Sequence, residues 1–217
     1  MSEIPSNESS DTIAAILMAS GFSERFGKQN KLLVDFRGKP MARYALELAA
    51  GMNFSGGIFL VASSGDVAAL ASDFGAVRAI KNTAPEKGLR ESVRLGVQAA
   101  GTEPDYYLFF PCDQPFLDAA TVQSVLDARA PGCIVEPRYG GRPGNPCLFS
   151  AVFRRELLSL NEGETPRLLK SRYPQALRGV EISSPLALED IDDEETLRRL
   201  SQRPCRRQGR RYPLSDQ

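Results

Sequence analysis

In TIAAILMASGFSERFGKQNK (Thr12–Lys31) an unbroken apolar run meets a loop of small and cationic residues. The run Thr12–Ala19 lacks the polar alternation of a half-solvated strand, so it predicts a strand buried on both faces of a parallel sheet. The loop after it spells G-x-S-x-R-x-G-x-x-x-K through Gly21, Ser23, Arg25, Gly27 and Lys31. It matches neither G-x-x-x-x-G-K-[ST] nor G-x-G-x-x-G. Glycines let backbone N–H groups approach an anion, while Arg25 and Lys31 would supply fixed positive charge. A polyphosphate suits such a loop; a flexible surface loop has the same composition, so the decision rests on other segments.

Outward from this stretch, apolar strands alternate with helix-length segments. PMARYALELAAG predicts a helix with Pro40 in the first turn and Gly51 at the C-cap. GIFLVAS (57–63), AVRAI (76–80), DYYLFFPCD (105–113) and GCIVEPRY (132–139) read as further strands. Helices are predicted over 67–74, 89–100 and 118–129, the last with Asp118 as N-cap. Such alternation implies βαβ crossovers and a mostly parallel sheet covered on both faces. Ligands of such sheets bind at the carboxyl ends of the strands. Beyond Arg138 the pattern loosens. AVFRRELLSL, ETPRLLKSRY and DDEETLRRL read as helices, LRGVEI and LALEDID as short strand-like pieces. This reads as an insertion at the edge of the sheet, within one domain spanning 12–200. The polar leader 1–11 and the tail after residue 200, with five arginines, are expected to be disordered.

Composition narrows the chemistry. Lys plus Arg equals Asp plus Glu at 27 each, so broad binding to nucleic acid or anionic membrane is not expected. The chain has no histidine. That excludes Ser-His-Asp and Cys-His catalysis and the usual mixed zinc sites. Cys112, Cys133, Cys147 and Cys205 form no C-x-x-C pair and read as reduced thiols. With no secretory leader and no run of about 20 apolar residues, a cytoplasmic location is expected.

Two acidic features fit the polyphosphate reading. Asp113 in LFFPCDQP leaves the end of a buried strand, where a lone carboxylate is costly unless it meets a cation or water. A Mg²⁺ carried by a nucleoside triphosphate would suit it, and an N-cap or turn Asp before Pro115 is the alternative. In LEDIDDEETL, Asp190 and Asp192 flank Ile191 and read either as a second half of a metal site or as caps of the helix that follows.

The segment AAILMASGFSERFGKQNKLLVDFRGKPM resembles the signature L-x-A-G-x-S-x-R-M-G-x-x-K-L-L-x-x-x-x-G-K-P-L of the molybdenum cofactor nucleotidyltransferases, a MobA-like group. EKGLRESVRLGV is similar to the family's E-G-M-x-x-S-L-R-x-G, PCDQPFL to A-D-Q-P-L, YGGRPGNPCLF to Y-x-G-x-x-G-H-P-V-L-F, and DIDDEETL to D-I-D-T-P-E-D-L. The order is kept from Thr12 to Leu200. Within the group the chain looks most like the cytidylyltransferases. The guanylyl branch usually has two glycines where this chain has Ala19 and Ser20.

The resemblance implies a Rossmann-like three-layer sandwich of the nucleotide-diphospho-sugar transferase type. It also implies transfer of CMP from CTP to molybdopterin-bound molybdenum with release of pyrophosphate. Arg25 and Lys31 would hold the triphosphate, and Asp113 would hold Mg²⁺ with Asp190 or Asp192. Ala19, Ser20, Gly21, Ser23, Gly27, Gly88 and Ser92 would border the nucleotide. Gly141, Gly144, Asn145 and Pro146 would face the pterin phosphate. A molybdenum hydroxylase would be the client enzyme. Ser20 replaces the family's Ala, Phe26 its Met and Asn145 its His, and the spacing from Gly27 to Lys31 is one residue longer.

Overall fold

The apolar run folds as strand β1 (Ile13–Ala19), every residue of it buried except the half-buried Met18. A two-strand hairpin follows, β2 (Asp35–Phe36) and β3 (Lys39–Pro40), then helix α1 (Met41–Met52). The path continues through β4 (Ile58–Ala62), α2 (Gly65–Ala69), β5 (Val77–Lys81), α3 (Leu89–Ala100), β6 (Tyr106–Pro111) and α4 (Ala119–Asp127). It closes with β7 (Ile134–Tyr139), β8 (Arg142–Pro143), β9 (Cys147–Ser150), α5 (Arg154–Leu158), α6 (Arg167–Arg172), β10 (Leu177–Glu181) and α7 (Glu194–Ser201). This computed structural model describes residues 11–21, 26 and 29–202.

The main sheet runs β10-β7-β9-β6-β1-β4-β5, with β8 hairpinned onto β7. β1 pairs in parallel with β4 on one side and β6 on the other. The chain therefore winds outward from β1 through β4 and β5, then returns to the other side of β1 through α3. The ends of β1 and β6 thus form a switch point, where open α/β sheets leave a crevice for ligands.

Alternate residues of the central strands feed two cores. Ala15, Leu17, Leu108 and Phe110 pack with α1 and α4 on one face. Ala14, Ile16, Tyr107 and Phe109 pack with α3, α5 and α6 on the other. The result is a three-layer α/β sandwich. Among the described residues no helix is long and apolar enough to cross a membrane.

Of the two caps expected from the sequence, one is found and one is displaced by two residues. Asp118 caps α4 by accepting from the Thr121 N–H at 2.8 Å. Gly51 lies inside α1, and the left-handed C-cap is Asn53 (φ 52°). Other expectations need correction. The helix read over 67–74 splits into α2 and a 3-10 turn at Leu70–Asp73. The loosened segment after Arg138 lies at the sheet's edge but is woven into it, because β9 enters antiparallel between β6 and β7. LALEDID contains no strand. Pro185–Leu188 forms a 3-10 turn, and the buried residues are Ala187 and Ile191, four apart, so two-residue alternation misdescribes it.

Ile191 belongs to a third cluster with Phe26, Phe36, Met41 and Leu200. Arg37 braces this cluster by lying over the Phe36 and Phe116 rings, at 5.1 and 5.0 Å, and donating to the Leu200 carbonyl at 2.6 Å. The chain around residues 190–192 is thereby fixed against the front of the sheet.

Candidate active site

At the carboxyl end of β6 the chain emerges at Asp113, and its carbonyl accepts from the Ile191 N–H at 2.9 Å. With Ile191 fully buried, Asp190 and Asp192 are left flanking it at the rim. Asp193 caps α7 through the Thr196 N–H at 2.7 Å, so neither Asp190 nor Asp192 is needed for capping. Lys31 reaches the same place from the loop after β1. Asn30 starts a 3-10 turn over Lys31–Leu33 by accepting from the Leu32 N–H, and Leu32 is buried in the core. The Lys31 ammonium then lies between two carboxylates, 2.7 Å from Asp113 Oδ2 and 2.7 Å from Asp192 Oδ1.

Burial alone would lower the titration of Lys31. The charge and hydrogen bonds of Asp113, then Asp192, more than offset it, so the ammonium titrates above the ordinary lysine range. Asp190 behaves oppositely. Burial, then the neighbouring Asp113 and Asp192 charges, push its carboxyl up to about 6 against a partial offset from the Gln114 amide, which donates to it at 2.7 Å. Among the described residues no three acidic, thiol or imidazole groups converge to hold a metal between them. Asp113, Asp190 and Asp192 share one rim, and two of them are drawn onto Lys31.

The rim opens into a cavity of about 710 Å³, within the roughly 300–1,000 Å³ usual for small-molecule sites. Ser20, Gly21, Gly88, Ser92, Gly144 and Asn145 all line it with the three aspartates. Ala19 is buried behind it on β1. Gly141 forms, with Gly140, the tight turn joining β7 and β8; both have positive φ (55° and 80°), which glycine adopts at least cost. Gly141 and Pro146 do not line the cavity. Gly144 is small for a packing reason as well, since a Cβ there would come within 2.7 Å of the Leu188 side chain. Ser23, Arg25 and Gly27 lie outside the described residues, as does Cys205; Cys112, Cys133 and Cys147 are free and buried.

Two amides escaped the sequence reading because uncharged side chains carry no charge signature. Gln114 holds Asp190, and the buried Asn82 donates to Ser92 Oγ at 3.1 Å while accepting from the Ala84 N–H. Lys170 and Arg167 of α6 also line the cavity. Nothing in the sequence sets them apart from other cations on a short helix.

Residues 15–176 match the MobA-like NTP transferase domain. The chain belongs to the MobA-like NTP transferase family. It is 27% identical over 204 residues to a molybdenum cofactor guanylyltransferase of Ralstonia pickettii, covering 88% of this chain and 97% of that one. It is 24% identical over 196 residues to nicotine blue oxidoreductase of Paenarthrobacter nicotinovorans, covering 87% and 96%. A nucleotidyl transferase from Methanothermobacter thermautotrophicus superposes with a TM-score of 0.77 at 24% identity, over 88% and 96% of the two chains. A Mycobacterium tuberculosis protein solved in complex with manganese superposes at 0.66 with 22% identity, over 87% and 97%. Family membership makes this chain a nucleotidyltransferase by kind. The relative named as an oxidoreductase carries a different chemistry in its name, and a shared framework does not by itself fix the reaction.

Proposed function

We propose that this MobA-like transferase moves CMP from CTP to the terminal phosphate of the molybdopterin that carries molybdenum, releasing pyrophosphate. The observation that carries the reading is the junction of Lys31 with Asp113 and Asp192 at the β1/β6 switch point, the two carboxylates lining, with Ser20 and Gly21, a cavity roomy enough for nucleotide and acceptor.

A phosphate oxygen of the acceptor attacks the α-phosphorus, and the bond to the pyrophosphate oxygen breaks. The nucleophile is already anionic, so the protein needs little proton transfer. Its task is positioning and charge neutralisation, which suits a chain without histidine. Lys31, held protonated, would turn its ammonium to the charge developing on the departing pyrophosphate, with Arg25 as its partner from the same loop. Ser20, Gly21, Gly88 and Ser92 would border the nucleotide, and Asn82 would keep the Ser92 hydroxyl in place. Gly144 and Asn145 would face the acceptor.

The donor set fits a hard divalent cation such as Mg²⁺. Three carboxylates share one rim, and burial, then the charge of the other two, pushes the Asp190 carboxyl up to about 6. Mg²⁺ typically takes one or two carboxylates, the rest of its shell coming from phosphates and water. Asp113 would hold it, with Asp190 or Asp192. When bound it would neutralise phosphate charge and polarise the phosphoryl oxygens.

Ser20 favours the pyrimidine. Its side chain occupies the cavity wall, hydrogen-bonded to the Val61 carbonyl at 3.0 Å, where a glycine would leave room for a purine. Use of GTP is the second reading, favoured by the guanylyltransferase among the relatives. Incubating the protein with Mg²⁺, molybdopterin and each nucleoside triphosphate in turn, and measuring pyrophosphate, tests both. CTP should give the fastest release. Equal or faster release with GTP would assign the chain to the guanylyl branch, and no release with any nucleotide would contradict transfer altogether.

A further inference from the structure

The cavity has two electrically opposite ends. Asp113, Asp190 and Asp192 stand at the β1/β6 rim, while the other charged residues lining it, Arg167 and Lys170, come from α6 on the β7–β9 side. Lys170 is largely enclosed, its side chain 17% exposed, and donates to Glu136 at 2.8 Å and to Cys147 Sγ at 2.9 Å. The buried Glu136 carboxylate also accepts from Arg138 at 2.9 Å, so one negative charge is shared by two cations. The Arg167 side chain has neither ion pair nor hydrogen bond among the described residues. The Cys147 thiol, pushed up by burial, stays neutral and adds no countercharge. Two cations therefore share the Glu136 carboxylate, and the exposed Arg167 adds a third positive charge to the same end of the cavity, where an anion can meet it.

We infer that Arg167 and Lys170 form a second anion subsite, which takes the phosphate monoester of the acceptor while the nucleotide triphosphate occupies the acidic rim. The inference rests on the nucleotidyl-transfer reading and adds residues to it. Arg167 supplies a planar fork that can grip two phosphate oxygens, and Lys170 supplies a point charge from the wall. Asn145, beside Cys147, borders the same end. Its amide donor would recognise the phosphate or the group carrying it. An acceptor lacking an anionic group would leave this end unfilled. The subsite thus selects phosphorylated acceptors over their alcohols.

Binding tests this without requiring turnover. Full-length protein, with its nucleotide end filled by α,β-methylene-CTP and Mg²⁺, is titrated with molybdopterin and, separately, with inorganic phosphate, in the wild type and in Arg167→Ala, Arg167→Lys and Lys170→Met. Loss of a charged hydrogen bond should weaken both ligands about tenfold in Arg167→Ala. Arg167→Lys should recover part of that loss, and affinity for the CTP analogue should be unchanged. Because Lys170→Met leaves Glu136 with one partner fewer and is liable to unfold, Arg167 carries the decision. Equal binding of both ligands to wild type and Arg167→Ala would overturn the subsite with the transfer reading intact. So would a wild type that binds neither ligand. A wild type that binds phosphate through Arg167 but not molybdopterin would support the subsite while removing molybdopterin as the acceptor.

Discussion

Replacing Lys31 by methionine keeps the length of the side chain and removes its charge, leaving Asp113, Asp190 and Asp192 at one rim without their ammonium. The Asp113 contact is the stronger one, between side chains 12% and 25% exposed. A charged hydrogen bond of this kind contributes about 1.5–3 kcal/mol. The Asp192 end is half exposed, so solvent screening reduces its share to about 0.5 kcal/mol. Methionine recovers the desolvation of the ammonium, which leaves a net loss of about 1–2 kcal/mol. For a domain of this size that lowers Tm by about 2–8 °C. The variant should regain more of this on adding Mg²⁺ than the wild type gains, because the ion no longer competes with an ammonium for the same carboxylates. Activity should respond through the transition state. Losing one preorganised charge donor typically lowers kcat about 10²–10³-fold, with kcat/KM falling alongside it. Thermal unfolding with and without Mg²⁺, together with pyrophosphate release at saturating nucleotide, reads all three quantities. A change confined to KM, or a Mg²⁺ stabilisation no larger than in the wild type, would refute the role given to Lys31.

Four further outcomes are expected. Asp190 titrates near 6, above its value in the unfolded chain, so the metal-free native state binds the extra proton and its stability falls as pH rises from about 4 through 6; Asp190→Asn should flatten that slope in pH-dependent urea titrations, and an unchanged slope would assign it to another group. Divalent-metal affinity should move the other way, weakening on acidification through pH 6 as the carboxylate takes up its proton, and a pH-independent Mn²⁺ titration would exclude Asp190 as a ligand. Ile191→Ala, at a fully buried position, should lower stability by about 2–5 kcal/mol in denaturant unfolding and slow transfer beyond its effect on the folded fraction, because the flanking aspartates lose their anchor. Removing residues 203–217 should leave transfer intact, and an inactive truncation would give the arginine-rich tail a part in the reaction.

What the sequence discloses is what it encodes locally. β1 and β6 are legible because strands buried on both faces need uninterrupted apolar runs, and the cap at Asp118 is legible because capping spans three residues. The antiparallel entry of β9 between β6 and β7 is not, because a four-residue strand does not state its partners. Asp113 announces itself as a carboxylate at a strand end. That Lys31 would sit between it and Asp192 depends on a contact spanning 161 positions, made possible by burial of Ile191 and the Asp113–Ile191 backbone bond. Gln114 and Asn82 give no charge signal, and Lys170 reads as one more cation on a short helix until Glu136 is seen buried beneath it.

The most direct test of the central claim is anomalous scattering from Mn²⁺ in crystals grown with α,β-methylene-CTP. The account predicts a manganese peak at about 2.0–2.3 Å from an Asp113 oxygen, bridged to the triphosphate, with the Lys31 ammonium turned onto the phosphates. A triphosphate bound away from the β1/β6 rim, or a manganese that does not touch Asp113, would contradict it.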